Sequence, residues 1–177
     1  MWQPGEHKGA QLVNEPGTWN WSDLNTRDVA GAKAFYAAVF GWEASKVDFG
    51  SGESYMWRVP GYGGFLERND PGVRQRHQEA GAPAGFTDAI GWLQLMTGDR
   101  FPGDALPHWS VTFSVHDTDA IAERTTQLGG TVTVPPFSVP YARIAALTDP
   151  QGAVFTVSQY IPPAQPQPGD LAPEHPN

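Results

Sequence analysis

Apolar and polar positions alternate along this chain with two periods, and the periods follow each other in a repeated order. From Thr18 to Thr26 the period is two. Trp19, Trp21, Asp23 and Asn25 fall on one side and Asn20, Ser22, Leu24 and Thr26 on the other, which predicts a strand. Just beyond, Val29, Ala32, Phe35, Tyr36, Val39 and Phe40 fall at helical spacing. Asp28 precedes this run as a natural N-cap, and Gly41 follows it, able to end a helix in the left-handed conformation. Strand candidates come next at 42–49, 54–59 and near 64–67, with the turn signal Gly50-Ser51-Gly52 between the first two. Residues 69–80 predict a short inserted helix. Residues 88–96 predict a strand that completes the unit, although the segment is also compatible with a helix.

The same order then returns. Trp109, Val111, Phe113 and Val115 alternate with Ser110, Thr112 and Ser114. The apolar set is expected to pack under helices and the hydroxyl set to face water or a ligand. A helix is predicted over 118–128, capped by Asp117 and stopped at Gly129-Gly130. Strands at 131–134, 143–147 and 154–160 follow, the last two joined by the turn Thr148-Asp149-Pro150-Gln151-Gly152. Trp21 to Asp28 and Ser110 to Asp117 are both seven residues, and Asp28 to Gly41 and Asp117 to Gly130 are both thirteen. One strand–helix unit thus recurs at an offset of 89 residues. A duplicated unit of this kind can close two half-sheets around a cleft.

The outer segments differ in character. Residues 1–17 are rich in Gly, Pro and polar residues and read as an arm. Residues 161–177 are proline-rich with little to bury and predict a disordered tail. One domain is expected over 18–160, with modules at about 18–96 and 108–160. The 177 residues contain no cysteine, which excludes disulfides, thiolate nucleophiles and zinc fingers. A net charge of −8 with 11 Lys+Arg argues against nucleic acid as a partner. No apolar run approaches a membrane span and no secretory signal is present, so a cytoplasmic protein without membrane contact is expected.

Candidate chemistry clusters on the two first strands. Trp19 and Trp21 are either walls for a stacked ligand or core residues. Trp57, on the strand at 54–59, joins them as a candidate ligand-binding aromatic. Asp23 shares the face of Trp21 and is the candidate catalytic acid or base, or else a structural carboxylate. Ser110, Thr112 and Ser114 either line a cleft or form a solvated face, and Thr156 and Ser158 carry the same two readings. His108 and His116 bracket the second unit's first strand, and no two His pair at metal-binding spacing. Gly61-Tyr62-Gly63-Gly64 matches no phosphate loop and is expected to be a turn.

Each unit reads β-α-β-β-β. The segments Asp28-Val29-Ala30-Gly31-Ala32-Lys33-Ala34-Phe35-Tyr36 with Phe40-Gly41-Trp42, Gln127-Leu128-Gly129-Gly130-Thr131-Val132, and Asp149-Pro150-Gln151-Gly152-Ala153-Val154-Phe155 resemble the vicinal-oxygen-chelate superfamily. That superfamily includes glyoxalase I, bleomycin-resistance proteins and extradiol dioxygenases. More narrowly, the chain is similar to the second half of actinobacterial two-domain members labelled hydroxylases, whose inter-domain connector its residues 2–17 resemble. The resemblance implies an α+β fold: two βαβββ modules forming a cupped eight-stranded mixed sheet, with helices on the outer face. It implies a small-molecule ligand in the cup. It also implies a homodimer, or a second glyoxalase-like domain that is lost or covalently linked. The default cofactor of the superfamily is a divalent metal (Fe, Zn, Mn or Ni) held by His, Gln or Glu from each module's first and last strands. Here the two first-strand positions fall on Trp21 and Ser110, the second module's last-strand position falls on Thr156, and the fourth lies within 88–96. Trp cannot serve as such a ligand and hydroxyls are weak ones, so no cofactor is expected. The expected function is a binding domain with an aromatic-lined cup. The alternative is a lyase, isomerase or oxygenase in the same cup, either metal-dependent with unusual ligands or metal-free with Asp23 as acid/base.

Overall fold

The computed structural model describes residues 6, 10, 12–48, 53–98, 101 and 103–162. The expectation for a tail at 163–177 lies outside the described residues. Eight strands form one open mixed sheet: β1 (Trp19–Thr26), β2 (Glu43–Asp48), β3 (Glu53–Arg58), β4 (Ala89–Leu95), β5 (His108–Ser114), β6 (Thr131–Val139), β7 (Ala142–Thr148) and β8 (Val154–Tyr160). Their order is β2-β3-β4-β1-β5-β8-β7-β6. Four helices accompany them: α1 (Val29–Phe40), α2 (Tyr62–Asn69), α3 (Val73–Glu79) and α4 (Thr118–Gln127), with a 3-10 turn at Phe86–Asp88. None of these helices is long and apolar enough to cross a membrane.

The repeat read from the sequence is a pseudo-two-fold of the sheet. β1 runs parallel to β4, β5 runs parallel to β8, and β1 meets β5 antiparallel at the seam. Trp21 lies opposite Thr112, Ser22 opposite Val111 and Asp23 opposite Ser110. Shifting Trp21 by 89 gives Ser110, and shifting Asp23 by 89 gives Thr112. The seam register therefore maps onto itself about the Ser22–Val111 pair. Both unit helices are capped alike: the carboxylate of Asp28 accepts from the Gly31 amide at 2.8 Å, and that of Asp117 from the Ala120 amide at 3.0 Å. Replacing either Asp by Ala should cost about 1 kcal/mol in urea unfolding, because one free amide of the first turn loses its partner. The helix ends differ. Gly41 adopts φ 70°, but in the second module the left-handed residue is Gly129 at φ 85°, one position before Gly130.

α1 and α4 pack on the same face of the sheet. Val29, Ala32 and Tyr36 of α1 lie against Leu24, Tyr55, Trp57 and Leu93, while Ala122 of α4 lies with Ala145, Leu147 and Val157. The insertion between β3 and β4 covers the opposite, open face of module one, where Phe86 packs with Trp21, Met56 and Trp92. Two expectations for this insertion are corrected. Gly64 to Glu67 is not a strand but the interior of α2, and the glycine-rich stretch is the start of that helix, with Gly61 at φ 84°. The backbone amide of Gly63 donates to Asp88 at 2.6 Å, and a Cβ there would meet Arg74, Asp88 and Thr87 side-chain atoms at 3.0 Å or less.

The burial of β5 is inverted relative to its sequence pattern. Ser110, Thr112 and Ser114 are buried, whereas Trp109, Val111 and Phe113 each keep more than a third of their surface. The apolar set does lie on the helix face, beside Leu24 and Ser22. But α4 packs on β6, β7 and β8, and α1 packs on module one and meets β5 through Tyr36 against Trp109, so Val111 and Phe113 keep their exposure.

Candidate functional site

The open face at the seam carries a polar ladder. Thr112 donates to the Asp23 carboxylate at 2.7 Å. Asn25 donates from its amide nitrogen to the Ser110 hydroxyl at 3.0 Å, and Asn20 to the Ser114 hydroxyl at 2.9 Å. Along the parallel β5–β8 pair, Thr112 stands beside Thr156 and Ser114 beside Ser158. Asp23, Ser110, Thr112, Thr156 and Ser158 are thus brought to one face. Burial raises the Asp23 carboxyl from its ordinary range to about 6, against the opposing pull of the Thr112 hydrogen bond. His108 is on the same face, its Nδ1 tied to the Leu106 carbonyl at 2.8 Å.

Three aromatic candidates separate. Trp21 is on the open face, edge-on to Phe86 at 5.7 Å and to Trp92 at 6.1 Å between ring centroids. Trp19 is not with it. A bulge between Trp19 and Trp21 breaks the period of two, so that Trp19 pairs with Phe113 and its indole N–H reaches Ser22 on the helix face. The extra residue, Asn20, turns to the open face instead. Trp57 is also outside the cup: it is fully buried beneath α1, with rings of Tyr36 and Trp42 against it. The sequence reading missed Trp92, Asn25 and Phe86. Trp92 lies in a segment of mixed period, and Phe86 precedes it in a loop with no period at all.

The strand pairings fix the position that sequence alone left open. Asp23 stands beside Trp92 on β4 just as Thr112 stands beside Thr156 on β8. Since Asp23 and Thr112 are equivalents under the pseudo-two-fold, so are Trp92 and Thr156. A sequence model of the glyoxalase/bleomycin resistance protein/dioxygenase superfamily matches residues 18–157. The chain belongs to this superfamily. Among similar curated proteins is a putative glyoxylase, CFP32, of Mycobacterium tuberculosis, 34% identical over 166 residues that cover 92% of this chain and 51% of that protein. Another is the anthracycline biosynthesis protein DauV of Streptomyces sp. strain C5, 31% identical over 157 residues, covering 89% of this chain and 46% of the relative. The chain thus spans about half the length of these relatives. A solved methylmalonyl-CoA epimerase from Mycobacterium tuberculosis shares the fold, with a TM-score of 0.50, 15% identity, and coverage of 86% of this chain and 94% of that one.

The positions that the resemblance equates with metal ligands carry Trp21, Ser110 and Thr156, and the pseudo-two-fold adds Trp92 as the partner of Thr156. Module one offers two indoles and module two offers two neutral hydroxyls. This donor set does not fit a divalent transition metal. Among the described residues no three His, Cys, Asp or Glu side chains gather where an ion would be held. What remains is one carboxyl, Asp23, in a frame of hydroxyls and amides. Such a group can accept or donate a hydrogen bond near neutral pH, and can carry a proton.

Proposed function

We propose that this glyoxalase-like domain holds a small organic molecule against the open face of the module seam, without the superfamily's usual metal. Trp21 supplies the apolar wall, and Asp23 with the hydroxyls of Ser110, Thr112, Thr156 and Ser158 supplies polar contacts. The observation that carries this reading is the Asp23–Thr112 pair. It places a single carboxyl at the centre of the seam, with one side-chain partner among the described residues. The relatives named for anthracycline biosynthesis support an aromatic ligand. A second reading, proton transfer by Asp23 in the same place, is favoured by the raised proton affinity of that carboxyl.

The test is a fluorescence titration with a planar hydroxyanthraquinone, on protein whose metal content has been measured. Binding should quench tryptophan emission, and Trp21→Ala should weaken it several-fold, as expected for the loss of a stacking contact worth about 0.5–1.5 kcal/mol. Unchanged affinity with a loss of stability of about 3–5 kcal/mol would make Trp21 a core residue and remove it from the site. Near one transition metal per chain would overturn the metal-free reading. Asp23→Asn distinguishes the two readings: it should abolish any proton transfer outright, whereas for binding alone it should only weaken affinity, because Asn keeps one oxygen to accept a hydrogen bond.

A further inference from the structure

The two halves of the sheet differ in how their last strands are joined. β7 and β8 are linked by residues 149–153, whereas the equivalent strands β3 and β4 are linked by the insertion 59–88. The insertion is held weakly by itself. Its two short helices and its 3-10 turn each begin without a side-chain cap of their own. On module one it is anchored by Phe86 against Trp21, and by the Val59 amide, which donates to the Asp88 carbonyl at 3.0 Å.

Its other anchor is on module two. Tyr141, at the tip of the β6–β7 hairpin, lies against Gly81, just past α3. Gly81 has φ 72°, and a Cβ there would stand 2.9 Å from the Tyr141 hydroxyl oxygen and 3.5 Å from its ring. Glycine alone suits both the backbone and the ring at this point. β4 and β7 are four strands apart in the sheet order, a span of about 19 Å if flat, at ~4.8 Å per strand. The contact closes that span across β1, β5 and β8. The insertion enters β4 at Ala89, and the hairpin enters β7 at Ala142, which pairs with Tyr160. The crossing therefore lies at the end of the polar ladder where Asn20 bonds Ser114 and Ser114 stands beside Ser158.

Tyr141 is strained where it makes this contact. Pro140-Tyr141 is a two-residue turn, with Val139 paired to Ala142 across it. Tyr141 takes φ 67°, at a turn position that ordinarily holds Gly or Asn. Such a conformation persists where the surroundings over-determine it, and it gathers at ligand clamps and switch regions. The side chain is 38% exposed, so most of it is covered although it sits at a hairpin tip. Its own carbonyl accepts from the Ile161 amide at 2.9 Å, which braces the turn from behind.

We infer that Tyr141 is the gate residue of the seam: its contact with Gly81 straps the open face shut, and a molecule reaches Asp23 and the hydroxyl ladder by parting that contact. Such a gate presupposes the proposed ligand at the seam. Its two sides are unequal. The hairpin is braced by the pairing of β7 with β6 and β8, whereas the insertion is a chain of short uncapped segments. The insertion is therefore the side that moves, and it carries Phe86 off Trp21 as it goes. The place that Phe86 leaves is a ring position against Trp21 and Trp92, so an aromatic ligand enters without loss of ring contact.

The chain has no cysteine, so a single introduced thiol reports access. Ser158→Cys places one beneath the strap, and Phe35→Cys, on the exposed side of α1, is the control. Tyr141→Gly and Tyr141→Asn remove the ring and suit the left-handed turn, so both should fold. In the Ser158→Cys background each should speed reaction with a soluble aromatic disulfide reagent at least tenfold, while the Phe35→Cys rate stays within twofold. Stopped-flow mixing with a planar hydroxyanthraquinone should show association at least fivefold faster for Tyr141→Gly than for wild type. A Ser158→Cys rate that neither Tyr141 change moves overturns the inference, and so does faster labelling with unchanged association. If the hydroxyanthraquinone binds neither protein, the ligand reading of the seam fails, and the thiol rates alone decide whether Tyr141 closes the face.

Discussion

Asp23→Asn is expected to make the fold more stable at pH 8, by about 1–3 kcal/mol, while leaving it nearly unchanged at pH 4. Burial raises the Asp23 carboxyl to about 6 in the folded protein from 3.8 as the ordinary value. Between those two pH values the folded state binds more protons than the unfolded state. Stability from this group is therefore full below about pH 4 and is lost as pH rises through 6. The loss, at roughly 1.4 kcal/mol for each pH unit, amounts to about 3 kcal/mol at most, and the part of Asp23 that reaches solvent lowers it. Asn removes the charge and keeps an oxygen for the Thr112 hydroxyl. Urea unfolding of both proteins across pH 4–8 isolates the effect, since every other titrating group is common to the two. The difference should open between pH 4 and 6 and then stay level. A difference independent of pH, or an Asn variant weaker at pH 8, would show that the carboxylate is not buried at a cost.

Trp57→Ala should be among the most damaging single changes in module one, costing about 3–5 kcal/mol. Trp57 is 0% exposed and closes the space between β3 and the rings of Tyr36 and Trp42. Its indole nitrogen is buried with no hydrogen-bond partner among the described residues. An orphaned buried donor costs about 1–3 kcal/mol. Trp57→Phe gives up volume but also removes that donor, so it should cost much less than Ala. Thermal or urea unfolding of the two variants makes the comparison. An Ala variant within 1 kcal/mol of wild type would mean that α1 can settle onto the gap.

The sequence reading succeeded where a local rule acts on its own. Asp28 and Asp117 are caps because a carboxylate three residues before an amide satisfies it wherever the chain lies. The 89-residue offset equates Trp21 with Ser110 and Asp28 with Asp117, and the seam register agrees with it, Trp21 lying opposite Thr112 and Asp23 opposite Ser110. The failures came where one residue decides through distant partners. Nothing local announces the bulge at Asn20, yet it sends Trp19 to the opposite face. Trp57 has the strand period of a cup residue, and only its pairing with Gly91 on β4 places it under α1. For β5 the alternation was right and the environment wrong: which face is dry depends on where two helices end up. Trp92 became assignable only when parallel pairing put it beside Asp23.

The seam also divides credit between the two halves. Asp23 and Thr112 occupy the same place in their respective modules, and the pseudo-two-fold sets them hydrogen-bonded across its axis. Two copies of module one alone would face carboxyl to carboxyl there and repel when ionised. Two copies of module two would face hydroxyl to hydroxyl, with no group there that exchanges a proton near neutral pH. Only unlike halves make the pair, so its chemistry belongs to their divergence and to neither βαβββ unit alone.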